Sequence, residues 1–181
     1  MINLKPSFEE GKKKIKKSFS TENSGLKNCR RNSDLVDKVI NQIFSYQKKE
    51  KKISFEKFFI SAVGGYGRRQ LAPFSDIDLL FVYDDKKIED VESLVKDFLY
   101  PLWDLGLKVG YAVRSLKESI VYSEKDQIIK TSMLDTRLVC GSKKLFNELV
   151  INFSKQISKK PITFIDEKIN ERKNRIKLIG F

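Results

Sequence analysis

The stretch from Phe58 to Tyr83 constrains the fold most, because it joins two short apolar runs through a glycine-rich break. Its first run, Phe58 to Val63, is aromatic and β-branched, which is typical of a buried strand. Gly64, Gly65 and Gly67 follow, and glycines at this density allow positive φ angles and a close approach of backbone N–H groups to a ligand. The stretch therefore predicts a strand, a glycine turn, an irregular loop and a second strand.

Two carboxylates stand at the start of the second run. Asp76 and Asp78 are separated by Ile77, and because side chains alternate faces along a strand, both carboxylates point the same way. They lie about 7 Å apart along that face. Mg²⁺ prefers oxygen ligands and is commonly held by one or two carboxylates together with substrate phosphates. The pair therefore predicts a metal site formed by Asp76 and Asp78.

A purely structural explanation of the same residues is a tight hairpin followed by a solvated strand edge. A hairpin requires neither three glycines nor paired aspartates at the start of an apolar strand, so the functional explanation is favoured. The G-x-G-x-x-G pattern of dinucleotide-binding proteins and the G-x-x-x-x-G-K-[ST] pattern of P-loop proteins are both absent.

The glycine turn followed by Asp-x-Asp resembles the signature of the DNA polymerase β-like nucleotidyltransferase superfamily. Residues 64–81, GGYGRRQLAPFSDIDLLF, are similar to the N-terminal domain of the bifunctional uridylyltransferase/uridylyl-removing enzymes, which modify the PII nitrogen-signalling protein. Further matches follow in order: YPLWD at 100–104, LKVG at 107–110, VR at 113–114 and TSMLDTRLVCG at 131–141. The resemblance covers roughly residues 8 to 175.

This resemblance implies an α/β (α+β) fold with a small mixed sheet, flanked by helices and followed by a helical C-terminal part. It implies a Mg²⁺-dependent nucleotidyltransferase that moves UMP from UTP to a tyrosine of PII and releases pyrophosphate. The metal ligands would be Asp76 and Asp78. The nucleotide would be bound by residues of the glycine turn and its flanks, namely Gly64, Gly65, Gly67, Arg68 and Ser75, with Arg69 as an alternative to Arg68.

The sequence offers a candidate for a third catalytic carboxylate outside the predicted strands. Many superfamily members carry it on the next strand, but here the predicted strand from Leu107 to Arg114 contains none. The nearest candidate is Asp135, in a predicted helix where the resembled family also carries an acid; a helix-surface aspartate paired with a basic neighbour is the alternative. Arg114 and Arg137 either contact phosphates or form structural ion pairs.

Charge and composition exclude several functions. The net charge is +12, but residues 53–154 carry fourteen Lys and Arg against fifteen Asp and Glu, so the excess lies in the two flanks and nucleic acid is an unlikely partner. The chain contains no histidine, which excludes Ser-His-Asp triads and His-liganded metal sites. The uridylyl-removing site of the resembled enzymes, which is built on His and Asp, is therefore excluded within this chain.

The pattern of apolar residues and the positions of turn-forming residues divide the chain into three parts. They are a basic helical segment over 1–52, a nucleotidyltransferase core over 53–114 and a helical extension over 115–181. We expect helices over 7–19, over 34–49 with Asn32 or Ser33 as the cap, over 88–105 with Trp103 facing inward, and over 127–139. Pro101 should kink or restart the third of these helices.

The order of strand, helix and strand over 79–114 implies a parallel crossover, although short antiparallel pairing remains possible. From Ser115 onward the chain is expected to be helical: Ser115 and Glu118 form a capping box, Gly141 stops the helix over 127–139, and Ser142 caps the next helix. The early end relative to the resembled enzymes suggests an N-terminal fragment that is weakly active or inactive alone.

The sequence predicts a cytoplasmic location, since no run of about 18 apolar residues and no signal peptide are found. Three alternative functions remain open at this stage. They are a protein nucleotidyltransferase of the glutamine-synthetase adenylyltransferase type, a catalytically silent nucleotide-binding regulatory module, and a nucleic-acid polymerase or tRNA-modifying enzyme of the same superfamily.

Overall fold

The computed structural model describes residues 3–50, 55–84, 91–159 and 161–180. Its helices are α1 (Lys5–Glu22), α2 (Gly25–Glu50), α3 (Gly64–Gly67), α4 (Val91–Asp104), α5 (Leu116–Lys125), α6 (Gln127–Leu134), α7 (Lys143–Ile157) and α8 (Pro161–Ile179). Its strands are β1 (Phe58–Ala62), β2 (Ile77–Tyr83), β3 (Val109–Ser115) and β4 (Arg137–Gly141). The predicted α/β (α+β) class is confirmed.

The strands form one mixed sheet in the order β3-β2-β1-β4. β1 is antiparallel to β2 and to β4, whereas β2 and β3 are parallel. The parallel pair is the crossover predicted from the strand–helix–strand pattern, with α4 as the connection. Its register places Asp78 opposite Gly110. The sheet thus brings one predicted metal ligand beside the following strand.

Both faces of the sheet are covered by helices, because most successive residues of β1 and β2 are apolar and buried. Phe58, Ile60 and Phe81 pack in one core with side chains of α1, α2 and α4. Phe59 and Leu80 pack on the other face with Met133 of α6 and with three residues of α7 (Leu145, Leu149 and Phe153). Asp78 alternates with Ile77 and Leu79, which are buried in the first core, so its carboxylate lies on the second face.

The helix predicted over 34–49 is longer than expected, since α2 begins at Gly25. Asn32 and Ser33 lie inside it and do not cap it, so the predicted cap was wrong. Ser33 is fully buried; its hydroxyl donates to the Cys29 carbonyl at 3.0 Å and accepts from the Leu71 N–H at 3.3 Å. Such bonding to the carbonyl four residues back lets serine sit within a helix.

The prediction that the chain is wholly helical after Ser115 was also wrong, because β4 lies within that part. The helix predicted over 127–139 ends at Leu134, and Arg137–Gly141 pairs with β1. Pairing of β4 satisfies the backbone groups on the second edge of β1, which an additional helical turn could not reach. The capping box of Ser115 and Glu118, and the Ser142 cap of α7, are confirmed.

α4 continues through Pro101, which lies one turn from its C-terminal end, so the helix does not restart there, and the kink stays a prediction. Trp103 is 42% exposed and packs beside Tyr100 at 5.7 Å between ring centroids, so it does not face inward. The predicted start of this helix at residue 88 lies outside the described residues. Among the described residues, no helix is both long and apolar enough to cross a membrane.

Candidate active site

Asp76 and Asp78 lie at the N-terminal end of β2, and both are exposed. Within the described part of the chain, neither carboxylate forms a hydrogen bond or an ion pair. Asp78 lies between two glycines. A Cβ atom built on Gly64 would be 3.6 Å from Oδ2 of Asp78, and one built on Gly110 would be 2.7 Å from Oδ1. Room for the Asp78 carboxylate therefore depends on the absence of a side chain at Gly110.

Electrostatics at this acidic pair favour a cation. Partial burial raises the pKa of Asp78, and the negative charge of Asp76 raises it further. Two like charges held together without a basic partner are stabilised by a divalent ion. No group of three or more His, Cys, Asp or Glu side chains gathers among the described residues. The site thus fits Mg²⁺, which needs few protein ligands and keeps positions for water and phosphate oxygens.

The glycine turn is a single helical turn, α3, directly after β1. Gly64 has φ +58°, a conformation that favours glycine, and it borders Asp78. A Cβ at Gly65 would meet only ordinary contacts, the closest being the Gln70 carbonyl oxygen at 3.8 Å. The first-turn N–H groups of a helix have no partner within the helix, so those of Gly64 and Gly65 are available at the end of α3 where Gly64 borders Asp78.

Gly67 also has a packing role that the sequence did not predict. It is buried, and its N–H donates to the Val63 carbonyl at 3.0 Å. A Cβ there would collide with the Asp135 carbonyl oxygen and lie 3.0 Å from the Ala62 carbonyl oxygen. Gly67 is therefore needed for close packing of α3 against β1 and the segment after α6, and phosphate contact stays a prediction for Gly64, Gly65 and Gly67.

Two further predicted site residues, Arg68 and Asp135, form an ion pair with each other. Asp135 is the C-terminal cap of α6, not part of a helix that continues to residue 139, and its side chain is 25% exposed. The structure therefore brings the predicted phosphate-binding arginine and the predicted third carboxylate together beside α3. This contact agrees with the alternative that Asp135 pairs with a basic neighbour, and it leaves their roles with substrate as predictions.

Of the three remaining predicted residues, Ser75 lies next to the acidic pair, whereas Arg114 and Arg137 make other contacts. Ser75 is exposed and immediately precedes Asp76; its N–H donates to the Ala72 carbonyl at 3.2 Å. Arg114 lies at the far end of β3 from Gly110, with its guanidinium 5.4 Å from the centroid of the Tyr122 ring. Arg137 forms the structural ion pair that was one of its two predicted roles.

Comparison with known proteins identifies relatives of this chain by sequence. No family model matches the chain. The chain is 38% identical over 186 residues to the bifunctional uridylyltransferase/uridylyl-removing enzyme of Azospirillum brasilense, an alignment that covers 99% of this chain. It is 37% identical over 178 residues to the enzyme of the same name from Phenylobacterium zucineum, with 95% of this chain covered. The chain is a homologue of part of these enzymes.

The resemblance predicted from the glycine turn and the Asp-x-Asp motif is therefore confirmed. The chain spans 20% and 19% of the lengths of the Azospirillum and Phenylobacterium enzymes. Among solved structures, one titled "Crystal structure of the toxin-antitoxin with AMP-PNP" aligns with a TM-score of 0.41 and 12% identity, covering 72% of this chain and 98% of that chain. This similarity is too low to support a functional comparison.

Proposed function

We propose that this chain is the nucleotidyltransferase unit of a PII uridylyltransferase, which transfers UMP from UTP to a tyrosine of PII with Mg²⁺ and releases pyrophosphate. The observation that carries the proposal is the acidic pair of Asp76 and Asp78, which has no basic partner in the described residues and lies beside a glycine turn. The names of the homologues supply the uridylyl group as the one transferred.

The roles of the residues follow from where they lie. Asp76 and Asp78 would hold Mg²⁺, which when bound lowers the charge that develops on the α-phosphate and on the leaving pyrophosphate. Gly64 and Gly65 would offer backbone N–H groups to the β- and γ-phosphates. Arg68 would add positive charge there by exchanging its contact with Asp135 for a phosphate oxygen. Asp135, once released, would become available as a third carboxylate.

The acceptor tyrosine must lose its hydroxyl proton, which would pass to solvent water as the oxygen attacks the α-phosphorus. By holding Mg²⁺, Asp76 and Asp78 would place positive charge beside that oxygen and favour its ionised form. The oxygen–phosphorus bond then forms while the bond to the pyrophosphate oxygen breaks.

A protein acceptor is supported better than a nucleic acid. The sheet and the loops around Asp76 belong to the part of the chain with nearly balanced charge, and the basic excess lies in the flanks. Nucleic-acid enzymes need basic side chains along the path of the phosphate backbone. The second candidate is a protein adenylyltransferase, since no described contact selects the base.

The test is nucleotidyl transfer by the purified chain with Mg²⁺ and PII. Four parallel reactions would contain UTP, ATP, GTP or CTP labelled at the α-phosphate, and a PII variant with its acceptor tyrosine replaced by phenylalanine is the control. The proposal predicts label on wild-type PII from UTP only, dependent on Mg²⁺. Label from ATP instead would support the adenylyl alternative. Because the chain is expected to be weakly active or inactive alone, the result that would contradict the proposal is the absence of both transfer and Mg²⁺-dependent UTP binding.

A further inference from the structure

A largely buried ion pair lies directly behind the glycine turn. Asp37 of α2 and Arg137, the first residue of β4, form a bidentate contact: Nη1 lies 2.7 Å from Oδ2 and Nη2 lies 3.0 Å from Oδ1. Their side chains are 20% and 24% exposed, respectively. The hydroxyl of Tyr66, in α3, donates to the same Oδ1 at 2.6 Å. Burial and the charge of Asp37 raise the pKa of Tyr66 well above its usual value, so the phenol remains a donor.

Arg137 uses its other donors on the backbone of α3. Nε donates to the Gly67 carbonyl at 3.2 Å, and Nη2 donates to the Tyr66 carbonyl at 3.3 Å. The guanidinium also lies 5.3 Å from the centroid of the Tyr66 ring. The Tyr66 carbonyl also accepts from the Arg69 N–H at 3.0 Å, whereas no backbone donor to the Gly67 carbonyl is found among the described residues. Arg137 therefore supplies the donor that a longer helix would give to Gly67, and a second donor to Tyr66.

Fixing the carbonyls of α3 also fixes its N–H groups. In a helical turn the N–H bonds point toward the N-terminal end and the carbonyls toward the C-terminal end, along one axis. Arg137 holds the carbonyls of Tyr66 and Gly67, so the N–H groups of Gly64 and Gly65 are directed to the opposite end, where Gly64 borders Asp78. The ion pair thereby sets the direction of the proposed phosphate donors.

Stability alone does not account for this pair. Replacing a buried ion pair by apolar residues of similar volume is often neutral or stabilising, because both charges lose hydration on burial. Asp37 and Arg137 are 100 residues apart, and each contacts α3 as well as the other. We propose, resting on the function above, that Asp37 and Arg137 are positioning residues that orient α3 for the triphosphate of the nucleotide.

The test compares Arg137→Lys and Tyr66→Phe with Ile43→Val in the whole chain. A lysine keeps the charge but cannot span a carboxylate and two carbonyls at once. Phenylalanine at Tyr66 removes only the hydroxyl contact with Asp37. Ile43 is fully buried on α2, so Ile43→Val weakens the core without altering the contacts of Arg137. Two measurements are made on each protein: the Kd of UTP with Mg²⁺ by calorimetry, and hydrogen exchange of the Gly67 and Arg68 amides without nucleotide.

We expect Arg137→Lys to raise the Kd by about 10- to 100-fold, as expected when a side chain that orients a site is lost, and to speed exchange at both amides. Tyr66→Phe should change the Kd and the exchange rates in the same direction by a smaller factor. If Arg137→Lys fails to fold, Tyr66→Phe alone tests the inference. Ile43→Val should change neither. A Kd and exchange rates equal to those of the wild type in both site variants would overturn the inference while the proposed function stands. Absence of UTP binding by the wild type would overturn both.

Discussion

Gly110→Ala should separate activity from stability at this site. The Cβ atom of an alanine there would lie 2.7 Å from Oδ1 of Asp78, whereas ordinary contacts begin at 3.4 Å. The carboxylate must therefore move by about 0.7 Å or rotate away from its position. A misplacement of about 1 Å in a reacting group can cost roughly 100-fold in rate, so we expect the transfer rate to fall by about 10- to 100-fold.

The fold should tolerate this substitution. Gly110 is exposed, the atom that must yield ends a short side chain, and alanine is favoured over glycine within a strand by roughly 0.5–1 kcal/mol. The melting temperature should therefore stay equal or rise by about 1–4 °C. Gly25→Ala is the matched control, because a Cβ there meets no atom within 4 Å. A Gly110→Ala protein with wild-type transfer kinetics would refute the claim that Asp78 must keep this position.

Four further substitutions test the account by thermal unfolding, one of them together with calorimetry. Gly67→Ala should lower the free energy of unfolding by about 1–3 kcal/mol, because the new Cβ collides with the Asp135 carbonyl. Gly65→Ala should change the free energy of unfolding by no more than about 0.5 kcal/mol but weaken UTP binding in calorimetry. Equal losses of stability in the two variants would contradict this. Phe74 is fully exposed with φ +65°, so Phe74→Gly should raise the free energy of unfolding by up to about 1 kcal/mol, and a decrease would show that the aromatic ring makes a stabilising contact. The folded protein raises the pKa of Asp78, so the ionised carboxylate lowers the stability of the fold above that pKa, and this cost disappears below the ordinary aspartate pKa. Without Mg²⁺, Asp78→Asn should therefore raise the melting temperature at pH 7 but not at pH 3. An equal change at both pH values would contradict this explanation.

The sequence predicted those parts of the fold that depend on short-range patterns. Continuous apolar runs located β1 and β2, and the strand–helix–strand order favoured the parallel pairing of β2 with β3. The sequence did not predict β4. Leu138, Val139 and Cys140 follow a helix without a clear turn signal between them, and Gly141 indicated the end of that helix. Only the unpaired edge of β1, which is a property of the assembled sheet, requires a strand there.

In the candidate site, too, local patterns were predicted and long-range contacts were not. Asp76 and Asp78 were found from their spacing, because the alternation of a strand is enough to place them on one face. The pairing of Arg68 with Asp135 and of Asp37 with Arg137 was not predicted, since each joins residues at least 67 positions apart. Asp37 carried no local signal, because a single acid on a mostly polar stretch of helix is usually a solvated residue.

The acidic pair is tested most directly by calorimetry of UTP in the presence and absence of Mg²⁺. Three variants accompany the wild type: Asp76→Asn, Asp78→Asn and Asp84→Asn, the last at the opposite end of β2, 4.0 Å from Lys57. The account predicts Mg²⁺-dependent binding by the wild type and Asp84→Asn, and a loss of at least about 10-fold in affinity in the other two. Unchanged Mg²⁺-dependent binding in both Asp76→Asn and Asp78→Asn would contradict the assignment of this pair as the metal site.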